Sequence, residues 1–174
     1  MRQFIFILCF SSIVKVLSAQ IEMSKFAVDF GIGTQEFNAI GFSLGTTYFH
    51  NDKVELYGNV GSSGLGFASG VRPISNIVLA GGVRYKVAER RKFSTHLGLS
   101  TSFNSYNYQG VTQNEENTGY STNINLPIMM RYQYTDYISL EYELALGYRF
   151  NNSLGNKLSA GHSIGLKYRF GKKK

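Results

Sequence analysis

The stretch Ile138-Ser-Leu-Glu-Tyr-Glu-Leu-Ala-Leu-Gly-Tyr-Arg-Phe150 alternates without a break. Ile138, Leu140, Tyr142, Leu144, Leu146, Tyr148 and Phe150 fall on one side; Ser139, Glu141, Glu143, Ala145, Gly147 and Arg149 fall on the other. A period of two marks a β-strand, whose successive side chains point to opposite faces. The run is longer than the usual globular strand of about 5 to 6 residues. Its three charges all share the face that holds the small residues.

Working outward, the same pattern recurs from one end of the chain to the other, and no segment repeats apolar residues at helical spacing. Strands are predicted at about Lys25 to Gly33, Asn38 to Phe49, Lys53 to Ser62, Asn76 to Val87, Lys92 to Tyr106, Tyr120 to Tyr134, Tyr137 to Phe150 and Ala160 to Phe170. Short polar turns at His50-Asn-Asp52, Ala88-Glu-Arg-Arg91 and Thr135-Asp136 alternate with longer connections at Ser62 to Gly70, Asn107 to Gly119 and Asn151 to Ser159. Pro73 reads as a frayed strand end or a bulge. This is the layout of an all-β, eight-stranded antiparallel up-and-down transmembrane β-barrel, with short turns on the side of both chain ends.

Alternation alone does not say which face looks inward, because a soluble barrel of the lipocalin kind presents the same pattern inverted. Charge placement and residue size decide. Lys25, Asp29, Lys53, Glu55, Arg84, Lys86, Arg131, Glu141, Glu143, Arg149, Lys167 and Arg169 all lie on the small, polar face, and the apolar face carries no charge. A charge facing lipid at mid-bilayer costs about 2 to 4 kcal/mol, so lipid exposure selects such one-sidedness. Eight strands enclose room for side chains only, which suits a face of Gly, Ala, Ser and Asn. Aromatics gather at the strand ends: Phe26, Tyr48, Tyr85, Phe93, Tyr132, Tyr134, Tyr137, Tyr168 and Phe170 at one rim, Phe103, Tyr148 and Phe150 toward the other. Two such girdles belong at the two membrane interfaces.

Residues 1 to 19 read as a secretory signal: Arg2, the apolar run Phe4 to Phe10, a second run Ile13 to Leu17, and small residues Ser18 and Ala19 for cleavage. Ser11, Ser12 and Lys15 interrupt it, so it falls short of the roughly 20 apolar residues of a spanning helix. Residues 20 to 174 then form one barrel domain. The only cysteine, Cys9, lies in the signal, which leaves no disulfide or cysteine metal site beyond it. The net charge of +7 becomes about +5 without Arg2 and Lys15. The remaining excess lies in the lumen or at the rim of the short turns, as in Arg90, Arg91, Lys92 and Lys172 to Lys174, where lipid headgroups are better counter-ions than nucleic acid.

Asn125-Leu-Pro-Ile-Met-Met-Arg-Tyr132 and the terminal Gly165-Leu-Lys-Tyr-Arg-Phe170 together resemble the outer membrane protein β-barrel domain family, porin-like small barrels of the OmpA and OmpX type. The resemblance covers nearly the whole chain after the signal. It implies a Gram-negative outer membrane location and a terminal strand read by the barrel-assembly machinery, with Gly171-Lys-Lys-Lys174 running past the usual aromatic end.

Asp29, Glu55, Arg84, Lys86, Arg131, Glu141, Glu143, Arg149, Lys167 and Arg169 are expected to form a structural ion-pair network in the lumen, concentrated in the periplasmic half, because unpaired charges inside a narrow barrel are costly. Glu141 and Glu143 could in principle form an acid/base pair, but a closed lumen admits no glycan. Barrel enzymes that modify lipid A place His and Ser on the lipid face. Here His162 and Ser163 point to opposite faces, His50 reads as a turn residue and His96 as lumen filler. Neither catalytic nor metal nor cofactor residues are assigned. The expected role is structural or surface-interacting, through a contact loop carrying Tyr108, Glu115 and Glu116, possible envelope protein partners, and outer-membrane lipids. The alternatives are a narrow pore or an accessory subunit of a secretion or uptake complex, and, further off, a lipid A-modifying enzyme.

Overall fold

The computed structural model describes residues 23–35, 39–65, 71–110, 116–151 and 158–171. The expected signal, 1 to 19, and the terminal Lys172 to Lys174 lie outside them. After a single 3-10 turn, Met23–Lys25, eight strands follow: β1 (Phe26–Gln35), β2 (Ala39–Phe49), β3 (Val54–Leu65), β4 (Val71–Arg90), β5 (Phe93–Gly110), β6 (Glu116–Gln133), β7 (Ile138–Asn151) and β8 (Leu158–Arg169). Each pairs antiparallel with its neighbour in sequence, and β1 pairs with β8, so the sheet closes into a barrel.

Closure fixes which face is inside, and the inside is polar. Phe42, Leu44 and Leu99 are 53%, 61% and 51% exposed on the outer wall, as are most of the large apolar side chains. The buried set is dominated by Thr47, Glu55, Arg84, His96, Ser100, Ser102, Asn104, Ser121, Asn123, Arg131, Glu141, Arg149 and Lys167, with Met129, Pro127 and Val78 as apolar fillers. A lipocalin-like inversion is therefore ruled out. Where neighbours pass close, glycine makes the room: a Cβ at Gly98 would stand 2.6 Å from the Val83 carbonyl oxygen, 2.9 Å from Pro127 Cγ and 3.1 Å from Arg84 Cγ.

The turns on the side of the chain ends are tight. Asn51 Oδ1 accepts from the N–H groups of Lys53 and Val54, both at 2.8 Å, and Thr135 Oγ1 accepts from Tyr137 and Ile138. These are local side-chain substitutes for a backbone turn. Lys53 belongs to the first of these turns rather than to β3. Between β4 and β5 the turn shrinks to Arg91 and Lys92, because β4 runs on through Ala88, Glu89 and Arg90, which pair with Thr95, Ser94 and Phe93. The expected turn at Ala88 to Arg91 is corrected accordingly. A bulge between Lys86 and Ala88 lies behind this, and a second lies between Pro73 and Ser75, where proline cannot donate to the ladder.

At the opposite end three strands overshoot. β4, β5 and β6 have 20, 18 and 18 residues against 10 to 14 for the other five. The expected loop Asn107 to Gly119 is thus mostly strand: Asn107 to Gly110 continue β5 and Glu116 to Gly119 continue β6, paired as Asn107↔Thr118, Tyr108↔Asn117 and Gln109↔Glu116. Alternation misses this part because its residues are polar on both faces, although the backbone ladder continues.

Candidate functional site

The lower lumen, on the side of the short turns, holds an ionic cluster. Its hub is Arg131, near the end of β6. The guanidinium donates through Nη1 and Nη2 to the two carboxylate oxygens of Glu55 at 2.6 and 2.7 Å, and through Nε to Glu141 at 2.6 Å. This is the fork geometry for which arginine is suited. Lys167, 2% exposed, reaches Glu141 at 2.9 Å, Asp29 at 3.2 Å and Glu55 at 3.8 Å. Thr47 donates to Asp29 at 2.8 Å. Five strands thus send charges to one point, and three carboxylates share two cations. His96 Nδ1 lies 3.8 Å from Glu55, and its Nε2 is 3.0 Å from Ser94 Oγ, so it fills the lumen as expected.

One layer higher, Arg84 pairs with Glu143 and lies 3.6 Å over the Tyr57 ring. Glu141 and Glu143 therefore share one face of β7 but answer to different cations. Below the cluster Arg169 stacks 4.2 Å from the Phe49 ring and donates to the Ser24 carbonyl at 2.6 Å. Two of the ten expected members stand apart: Lys86 pairs with Glu89 at the rim, and Arg149 is buried near the other end of β7, opposite Asn123. Phe49 and Tyr57 were not singled out by the sequence, although their place in the alternation puts both inside. A cavity of about 470 Å³ opens beneath the cluster between the short turns.

The upper lumen is built differently. Asn104 donates to Ser121 at 3.2 Å, and Asn123 and Asn125 both donate to Ser102, at 3.3 and 3.1 Å. Ser102, Asn104, Asn123 and Asn125, with Asn59, Ser100 and Tyr57, line a cavity of about 110 Å³. Its size suits a few waters and falls short of the roughly 300 Å³ at which small-molecule pockets begin.

On the outer wall His162 lies against the Tyr142 ring, 6.4 Å between centroids, while Ser163 faces the lumen, so the two do not meet. His50 is in a turn, as expected, its N–H donating to the Val54 carbonyl. Of the expected contact residues, Tyr108 and Glu116 fall on paired strands, with side chains outside those described, and Glu115 lies outside the described residues. Among the described residues, positions 71 to 75 of β4 and 116 to 121 of β6 pair with β5 only.

No family model matches the sequence, and no curated protein matches it. Solved structures do. Neisserial surface protein A is 15% identical, covering 83% of this chain and 94% of that one, with a TM-score of 0.61. The N-terminal β-barrel domain of Pseudomonas aeruginosa OprF is 12% identical over 82% and 96%, TM-score 0.61. Ail, the attachment invasion locus protein of Yersinia pestis, is 12% identical over 83% and 95%, TM-score 0.51. At such identities the likeness speaks to fold, and it is the fold of small eight-stranded outer-membrane barrels.

Proposed function

We propose, from the premise that the chain has the fold of the small outer-membrane barrels, that it is a non-enzymatic protein of a Gram-negative outer membrane with a closed lumen, acting by surface contact. The leader at residues 1 to 19 would be removed on export, and the barrel-assembly machinery would insert the rest.

One observation carries the reading: among the described residues, the far ends of β4, β5 and β6 pair only with one another and leave two edges without a partner strand. On the β4 side Pro73 and its bulge blunt the edge, a common protection against stray pairing. On the β6 side Glu116 to Ser121 pair with β5 only, among the described residues, and hold no proline. An extended segment of an envelope or surface protein could add there as a further strand. Two of the structural neighbours are by name a surface protein and an attachment invasion locus protein, which accords with this.

The test is a trimmed variant in which residues 107 to 119 are replaced by a two-residue turn, leaving the wall intact. Mild cross-linking on intact outer membranes should capture a partner with the full chain and lose it with the trimmed one. Equal capture by both would overturn the reading. The ionic cluster favours a closed lumen over the pore alternative, so purified protein should be silent in planar-bilayer recording; steady, ion-selective conductance would favour the pore.

A further inference from the structure

The bulge in β4 changes more than the length of a turn. Up to Lys86 the even-numbered residues of β4 face the lumen, as Arg84 does, and the odd ones face out, as Val83 and Tyr85 do. Continued unbroken, that order would turn Arg90 inward. The extra residue at Val87 shifts the parity, so that Glu89 faces the lumen opposite Ser94 and joins Lys86, while Arg90 comes opposite Phe93 and shares its outer face. Arg90 is the one Asp, Glu, Lys or Arg on the outer wall among residues whose side chains are described.

Its surroundings are those of a membrane interface. Phe93, 62% exposed, packs against Tyr132 with ring centroids 4.9 Å apart, so a cation and two aromatic rings lie side by side across β4, β5 and β6. Arg91 and Lys92 follow at once in the turn. Arg91 has φ 54, a conformation that glycine or asparagine adopts more easily, so the turn holds a cation against local backbone preference. None of the three is paired with a carboxylate among the described residues; Lys92 only reaches the Tyr134 carbonyl, at 3.5 Å.

We propose that the outward face of the β4–β5 hairpin is a binding site for an anionic phospholipid of the periplasmic leaflet, with Arg90 on the phosphate, Arg91 and Lys92 supplying further positive charge, and Phe93 and Tyr132 against the upper acyl chain. Arginine suits a phosphodiester because its planar fork matches two oxygens at once. A zwitterionic lipid offers the same phosphate but brings its own ammonium close to the three cations, so a headgroup of net negative charge is preferred.

The site rests on the membrane-spanning reading, and the test separates the two. The chain has no tryptophan, so Phe93→Trp places a single reporter beside Arg90, and Phe150→Trp places one on the outer wall at the other rim as control. The refolded barrels are put into vesicles containing equal mole fractions of phosphatidylglycerol and phosphatidylcholine, with one or the other brominated on its acyl chains. At the hairpin reporter the ratio of quenching by the glycerol lipid to that by the choline lipid should exceed the ratio at the control reporter about threefold. Arg90→Gln, Arg91→Gln and Lys92→Gln together should bring the two ratios level, and Arg90→Lys should keep part of the difference. Arg90→Gln alone, which touches no lumen contact, should lower the ratio at the hairpin reporter even if the triple variant fails to fold. Equal ratios at the two reporters, or a difference that survives the charge substitutions, would overturn the site. Absence of quenching by either lipid would overturn the membrane-spanning reading, and the site with it.

Discussion

The lower and upper halves of the lumen are walled by the same eight strands, yet charges gather in one, while the other, Arg149 apart, holds amides and hydroxyls. In the lower half Arg131, Lys167, Glu55, Glu141 and Asp29 meet at 2.6 to 3.8 Å. In the upper half Asn104 donates to Ser121, and Asn123 and Asn125 donate to Ser102, beside a small cavity. Long charged side chains reach across eight strands' width and fill it, but each must find a partner. Short neutral ones leave space, and water can satisfy what they do not. The two halves should therefore respond very differently to loss of one side chain.

The largest effect is expected at the hub. Arg131→Ala leaves Glu55 without its bidentate partner and Glu141 without one of its two, and removing one member of a buried pair costs about 3 to 5 kcal/mol. Urea unfolding of the barrel in lipid vesicles would measure it. Replacing Arg131, Glu55 and Glu141 together by Met, Leu and Leu should cost far less than the single change, since apolar filling of similar volume does not strand a charge. If the single change cost no more than the triple one, the ionic cluster would be no more demanding than its neutral counterpart.

The layer between the halves gives a finer measure. Arg84 pairs with Glu143 but also lies on the Tyr57 ring, so part of its environment survives without the carboxylate. A double-mutant cycle with Arg84→Met and Glu143→Gln should give a coupling energy of about 2 kcal/mol, read from the same unfolding experiment. A value near zero would place this layer with the upper half. Gly98→Val tests the packing there instead. The new side chain meets the Val83 carbonyl oxygen as well as Pro127 and the stem of Arg84, so the backbone must shift and the cost should be about 3 kcal/mol or more.

The division was partly legible in the sequence. Alternation put Asp29, Glu55, Arg131, Glu141 and Lys167 on one face and near one end, and a narrow interior then obliges them to meet. It did not say which pairs form, because partners come from strands far apart in sequence: Glu55 and Arg131 are 76 residues apart. The same alternation placed Phe49 and Tyr57 inward, where the rule that large residues look out hid their use as ring partners for Arg169 and Arg84. Arg149 obeyed the face and not the cluster, since a shared face fixes direction but not height. Arg90 was read as a turn residue at the rim, near lipid headgroups, and its place on the outer face of β4 was not legible: one bulge residue reverses every assignment after it, and nothing in the pattern of Ala88, Glu89 and Arg90 announces the step.

The smallest effect should come from the upper half, and it is the one that tests the contrast most closely. Ser102 Oγ accepts from both Asn123 and Asn125, so Ser102→Ala removes an acceptor from two amides at once. Were these groups sealed as the ionic cluster is, two stranded donors would cost several kcal/mol between them. Beside a water-sized cavity the amides can turn to solvent, and the loss should be only about 1 kcal/mol, the net worth of a neutral hydrogen bond. Amide hydrogen exchange would show where the difference arises. Protection along β5 should fall around Ser102 and Asn104 and stay unchanged around Ser94 and His96, next to Glu55 and Arg131. A loss of protection spreading to that lower end would mean that the two halves unfold as one unit, and that the boundary at Arg84 and Glu143 separates chemistry without separating stability.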